Sequence, residues 1–280
     1  MGGKITWTMM TAIMALAGLP LACTPANQPT AESGAAEHGA IVSPDQVLDL
    51  FLGDWNCETV FYTPGATSEG KRVTGRCSYA RVLGGKFIQQ LGKDSENNCM
   101  IGFTTFNQQR QCFQMWNFGS NYGGPEVPCT GTWNGATRVL DWTVTGLKEY
   151  SLTAQHRFVN DNAIECTLLV NDSTGNPTGR IEYTMTRIAG EQSPIEIATE
   201  TVFSQTPEQK VLDLNLGNWK CEMASFKAKW APEEKHTVST QSAIRILNGK
   251  FIMLTGEDLE KNTAIQLTTY DETRKCYRGW

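Results

Sequence analysis

The chain repeats itself at a fixed interval. Val47-Leu48-Asp49-Leu50-Phe51-Leu52-Gly53-Asp54-Trp55-Asn56-Cys57-Glu58 returns as Val211-Leu212-Asp213-Leu214-Asn215-Leu216-Gly217-Asn218-Trp219-Lys220-Cys221-Glu222. Arg81-Val82-Leu83-Gly84-Gly85-Lys86-Phe87-Ile88 returns as Arg245-Ile246-Leu247-Asn248-Gly249-Lys250-Phe251-Ile252, and Arg110, Cys112, Phe113 and Trp116 return as Arg274, Cys276, Tyr277 and Trp280. The offset is 164 positions in every block, with no gap between blocks. A constant offset over that distance means that one structural plan is written twice, and 280 residues leave room for two units. The first unit is expected over 43–189, a linker over 190–205, and the second unit over 206–280. The second ends at the counterpart of Trp116, so it is expected to be a partial copy in a chain that is a fragment, because an open sheet edge is a hazard that folded proteins cover.

Each unit opens with a helix signal. Ser43-Pro44-Asp45-Gln46 and Thr206-Pro207-Glu208-Gln209 offer a hydroxyl cap, proline at the first helical position and glutamine three residues after the cap. Val47 with Phe51 and Leu48 with Leu52 form an apolar stripe, and Gly53 and Gly217 are placed to end the helix in a left-handed conformation. After the helix, ten strand signals follow in the first unit, from Trp55–Tyr62 to Ile181–Met185. The last three alternate most cleanly: Tyr150, Leu152, Ala154, His156 and Phe158 share a face, as do Ile164, Cys166, Leu168 and Val170, and then Ile181, Tyr183 and Met185. Gly84-Gly85, Asn248-Gly249 and Asn134-Gly135 read as tight hairpin turns. Short strands, tight turns and no crossover helix predict an all-β fold, an antiparallel up-and-down meander that protects its edges by closing into a barrel.

The N-terminus sets the compartment. Lys4 precedes an apolar run from Met9 to Ala22 that is shorter than the roughly 20 residues a membrane-spanning helix needs, so residues 1–22 read as an export signal. Leu19-Pro20-Leu21-Ala22-Cys23 resembles a bacterial lipobox, although Pro20 stands where that box carries an aliphatic residue. Two outcomes stay open, a lipoprotein anchored through Cys23 and facing the periplasm, or cleavage nearby and secretion; residues 23–42 then serve as a tether. Nine cysteines suit an oxidising compartment. The formal net charge of −5 and the absence of a Lys/Arg block argue against nucleic acid and against binding to an anionic membrane surface.

At Leu52-Gly53-Asp54-Trp55, Pro64-Gly65, Leu83-Gly84-Gly85-Lys86-Phe87-Ile88 and the strand ending in Trp116, the chain resembles DUF1579, a bacterial family of unknown function. The resemblance covers 44–189 fully and 207–280 in part. It implies a calycin-like closed barrel, distantly akin to lipocalins, fatty-acid-binding proteins and the haem-binding nitrobindins, and it implies no known reaction. Gly53-Asp54-Trp55 and Gly217-Asn218-Trp219 also match the Gly-x-Trp of lipocalins.

Alternation aims Trp55, Trp116, Trp133, Trp142 and Tyr150 into the barrel, where they either line an apolar ligand cavity or pack as core. His156 lies on the same face as Tyr150 and is a haem ligand, a buried acid–base group or, as the expected reading, a satisfied core histidine; the other two histidines, His38 and His236, offer it no partner in sequence. Cys57 and Cys112 recur as Cys221 and Cys276, which makes Cys57–Cys112 and Cys221–Cys276 the expected disulfides, with buried free thiols as the alternative. No metal-ligand spacing, nucleophile elbow or phosphate loop is present, so no metal, cofactor or catalytic residue is expected. The leading expectation is an exported barrel that binds a small apolar or amphipathic ligand. A filled barrel serving as an envelope adaptor ranks second, and a hydrolase or isomerase built on His156 ranks last.

Overall fold

The computed structural model describes residues 43–62, 70–121, 124–125, 127–144, 150–190, 192–197, 206–226 and 233–280. The expected export signal, the lipidation site Cys23 and the tether lie outside these residues.

Helix α1 spans Pro44–Asp49 and α2 spans Pro207–Leu212. Both carry the full capping box: the Ser43 and Thr206 side chains accept from the backbone N–H of Gln46 and Gln209, whose side chains accept from the cap N–H in return. The helices end earlier than the apolar stripe predicts. Gly53 and Gly217, with φ of +107° and +114°, open the first strand of each unit instead of capping the helix. The helix C-terminus is satisfied from further along: the Trp55 indole donates to Phe51 O at 2.7 Å, and the Trp219 indole donates to Asn215 O at 2.8 Å. An arginine then fastens each helix to its sheet. Arg81 donates to Asp49 Oδ1 at 2.7 Å and to Asp45 O at 2.9 Å, and its counterpart Arg245 pairs with Asp213.

Ten strands follow α1: β1 Gly53–Tyr62, β2 Lys71–Val82, β3 Phe87–Asp94, β4 Cys99–Asn107, β5 Cys112–Gly119, β6 Cys129–Asn134, β7 Val139–Val144, β8 Tyr150–Asn160, β9 Ala163–Asp172 and β10 Pro177–Arg187. Each pairs antiparallel with its chain neighbours, and β1 pairs with β10, with Cys57 opposite Met185, so the meander closes into a barrel of calycin-like form. The second unit supplies β11 Gly217–Ser225, β12 Lys235–Ile246, β13 Phe251–Asp258, β14 Thr263–Asp271 and β15 Cys276–Gly279, a five-stranded sheet.

The β2–β3 turn is a four-residue loop, and its left-handed residues begin at Leu83 (φ 54°) ahead of Gly84 and Gly85, with Leu247, Asn248 and Gly249 repeating the pattern. Gly85 N–H donates to Val82 O at 3.1 Å, so the turn is centred one residue earlier than the Gly-Gly pair suggests. Other hairpins use a motif that turn dipeptides do not reveal. Asp94, Asp172 and Asp258 each accept, through Oδ1, the backbone N–H groups two and four residues on.

Among the described residues two large apolar cores form, beside a small cluster of Leu212, Ala243 and Ile252 in the second unit. The first lies inside the barrel under α1, where Val47, Leu48 and Phe51 meet Trp55, Tyr79, Ile88, Phe113, Leu140, Trp142, Phe158, Ile164 and Met185. The second lies on the barrel's outer face, where Ile101, Phe103 and Phe118 pack against Ile246, Leu247, Phe251 and Leu267 of the second sheet, with Val82, Phe87, Trp116 and Trp280 at its margin. Val82 and Ile246, Phe87 and Phe251, Phe103 and Leu267, Trp116 and Trp280 all stand 164 positions apart. The two units thus meet through the same outer strip of each, as subunits of a two-fold dimer do.

Candidate functional site

The barrel interior brings together most of the residues that alternation aims inward. Trp55 is fully buried, with the Arg187 guanidinium stacked 4.2 Å from its ring centroid. Trp142 is buried against Gly131, where a Cβ would sit 2.7 Å from the indole, so only glycine admits the ring there. Trp133 packs edge-on to Phe158 at 5.6 Å, and its buried Nε1 meets no acceptor among the described residues. Tyr150, half-buried, opens β8 opposite Asp172, at the other end of the strand from Phe158 and α1.

Trp116 is the exception. It belongs to the core between the units, with its ring centroid 6.4 Å from that of Phe87. Reading β5 inward from Trp116 reverses its faces: Phe113 and Met115 face the interior, and Trp116 and Phe118 face the second sheet. Both faces of this strand are apolar because both are covered, so hydrophobicity alone does not reveal which is which.

His156 is buried and held from both sides. The Trp142 indole N–H donates to His156 Nδ1 at 3.0 Å, and His156 Nε2 contacts the Tyr183 hydroxyl. Burial pulls the His156 pKa down to about 4, so the ring is neutral near pH 7. With Nδ1 accepting, Nε2 carries the proton and donates to Tyr183, which hydrogen-bonds in turn to Cys166. Burial raises Tyr183 well above the ordinary phenol value and pushes Cys166 up to about 12. The relay is made of neutral groups, and both imidazole nitrogens are already engaged. Gln90 and Asn117 extend this polar band: Gln90 donates to Cys77 Sγ at 3.6 Å, and the buried Asn117 Oδ1 has no donor among the described residues.

The expected disulfides do not form; none of the eight described cysteines is bridged. Cys57 lies on β1, between β2 and β10, whereas Cys112 lies on β5, between β4 and β6, across the barrel. Cys221 and Cys276 stand on β11 and β15, at opposite edges of the second sheet. The neighbour of Cys57 is instead Cys77 on β2, with the sulfurs 3.3 Å apart. Their hydrogen bond raises the Cys57 thiol and lowers that of Cys77. Gln241 replaces Cys77 in the second unit, so the repeat concealed this partner.

A cavity of about 230 Å³ opens beside α1, between the helix and strands β4 to β6. Pro44, Val47, Phe106, Phe113, Gly131 and Trp133 line it, with Ser43, Gln111 and Thr132 also contributing. Among the described residues no cluster of three or more His, Cys, Asp or Glu side chains could hold a metal ion.

No family model matches the chain, and no curated protein matches it. Among solved structures it is similar to an S-type phycobiliprotein lyase, CPES, from Guillardia theta, with 8% identity and a TM-score of 0.41 over 54% of this chain and 96% of that one. It is also similar to Rv2717c from M. tuberculosis, with 14% identity and a TM-score of 0.39 over 52% and 98%. A third is a DUF3598-family protein of unknown function from Nostoc punctiforme, with 14% identity and a TM-score of 0.37 over 83% and 73%. Likenesses this remote assign no activity.

Proposed function

We propose that the chain binds a small apolar or amphipathic molecule at the α1 mouth of its barrel. The cavity beside α1 carries this reading: its walls are aromatic and aliphatic, and a few polar groups sit among them, the usual character of a small-molecule site. At about 230 Å³ it suits a compact ligand. The six-residue helix α1 closes one side. The interior relay orients Trp142 and sets the polarity behind the cavity. It offers little for an enzyme, because His156 is neutral, is a weak base and has no carboxylate partner among the described residues.

A filled barrel acting as a structural module is the second reading, favoured by the burial of Trp55, Ile88, Leu140, Ile164 and Met185 beneath the helix. Titration with the fluorescent probe anilinonaphthalene sulfonate separates the two. Ligand binding predicts saturable fluorescence that is lost in Phe106→Trp, which enlarges a half-buried wall side chain of the cavity. Absent saturation, or saturation indifferent to the substitution, favours the filled barrel.

We also propose membership of DUF1579, on the motifs that occur in order and twice, and export as a Cys23-anchored lipoprotein. A diacylated Cys23 peptide in bacterial membrane fractions is the expected finding, and an unmodified soluble chain would overturn the anchor.

A further inference from the structure

On the outside of the barrel, the extended segment Ser193–Glu196 lies over β1, β2 and β10 and leaves a groove of about 860 Å³ beneath it. Arg76 and Lys93 both line this groove, and they stand directly opposite each other in the β2–β3 ladder. Like charges paired across a sheet repel each other. Among the described residues no carboxylate forms an ion pair with either cation. Glu58 is paired with Arg72, and Asp94 accepts from the backbone N–H groups of Glu96 and Asn98 and from the Asn98 side chain. Glu196, exposed on the overlying segment, forms no ion pair with either cation among the described residues. The half-buried Arg76 guanidinium donates to Ser193 O at 3.4 Å, and its buried Nε meets no acceptor. Two cations side by side, one half-buried, without a carboxylate partner and beside the hydroxyls of Thr74 and Thr184, form a receptor for a group that is negative and rich in acceptors.

We propose that this groove binds the oxyanion group of a small molecule, a carboxylate or a phosphate, held between Arg76 and Lys93. The planar fork of the guanidinium suits either group, and the ammonium adds a point charge. The site is separate from the α1 mouth and stands whether or not that cavity is occupied.

Isothermal titration of the full chain at low ionic strength, with inorganic phosphate in one series and citrate in another, tests it. At least one probe is expected to bind saturably, about tenfold more weakly in Arg76→Gln and in Lys93→Gln, and unchanged in Arg157→Gln, a cation on β8 outside the groove. Which probe binds tells phosphate from carboxylate. Thermal melting checks that each variant is folded, and Lys93→Gln, at an exposed position, serves if Arg76→Gln is not. No saturable binding of either probe overturns the proposal, as does an equal loss in Arg157→Gln, which would mark diffuse attraction.

Discussion

The indole N–H of Trp142 donates to Nδ1 of His156 at 3.0 Å inside the barrel, and that one bond fixes the tautomer of the only buried histidine among the described residues. Nδ1 must accept, so the ring proton sits on Nε2 and faces Tyr183. Trp142→Phe keeps an aromatic ring but leaves a buried acceptor unmatched, a loss of about 1–3 kcal/mol on top of the lost volume. Urea unfolding measures it, and a variant as stable as the parent would contradict the assignment.

The same histidine makes stability depend on pH. Its pKa falls from an ordinary 6.5 to about 4 on folding because burial disfavours the charged ring. The unfolded chain therefore takes up a proton below pH 6.5 that the folded chain refuses until about pH 4. Stability from this group is intact above pH 6.5 and declines as the pH falls through that window, by ~3 kcal/mol at most. His156→Gln removes the titrating group, so its unfolding free energy is expected to vary less between pH 7 and pH 4.5 than that of the parent. Parallel curves for the two would refute this.

The core between the two units makes another prediction. Phe251 is fully buried against Phe118, with ring centroids 5.8 Å apart. Phe251→Ala is expected to cost about 3–5 kcal/mol, felt by the second sheet and not by the far wall of the barrel. Hydrogen exchange should show amides of β13 and β14 losing protection while those of β8 to β10 keep theirs. Uniform loss across both units would mean that they fold as one cooperative body.

The thiols supply a fourth test. Treated with glutathione disulfide, Cys57 and Cys77 are expected to join: two thiols give up two electrons and two protons, and the oxidant leaves as two glutathione molecules. The 3.3 Å contact needs only a small closure. Peptide mapping that finds Cys57 bridged to Cys112 instead would contradict the strand order.

The fold was legible because its signals are local. Each expected strand of the first unit has its counterpart between β1 and β10, and both capping boxes form. The site was legible where one face of a strand is wet, as along β8 to β10, where alternation places His156 and Tyr183 inside. It failed at β5, where Trp116 looked inward because the second sheet makes the outer face apolar as well. It failed at the cysteines for a different reason. The repeat shows which residues recur, and it cannot show that Cys77, which does not recur, lies beside Cys57. Arg76 and Lys93 carried no sequence signal, since their relation is a register and not a motif.

Occupancy of the cavity under α1 is the claim on which the functional reading turns. Native mass spectrometry of the chain purified from bacterial cells reads it directly. The account predicts a stoichiometric small-molecule adduct on the parent chain that is absent from Phe106→Trp. A parent chain that flies only at its bare mass, and takes up no apolar ligand offered in excess, would contradict it.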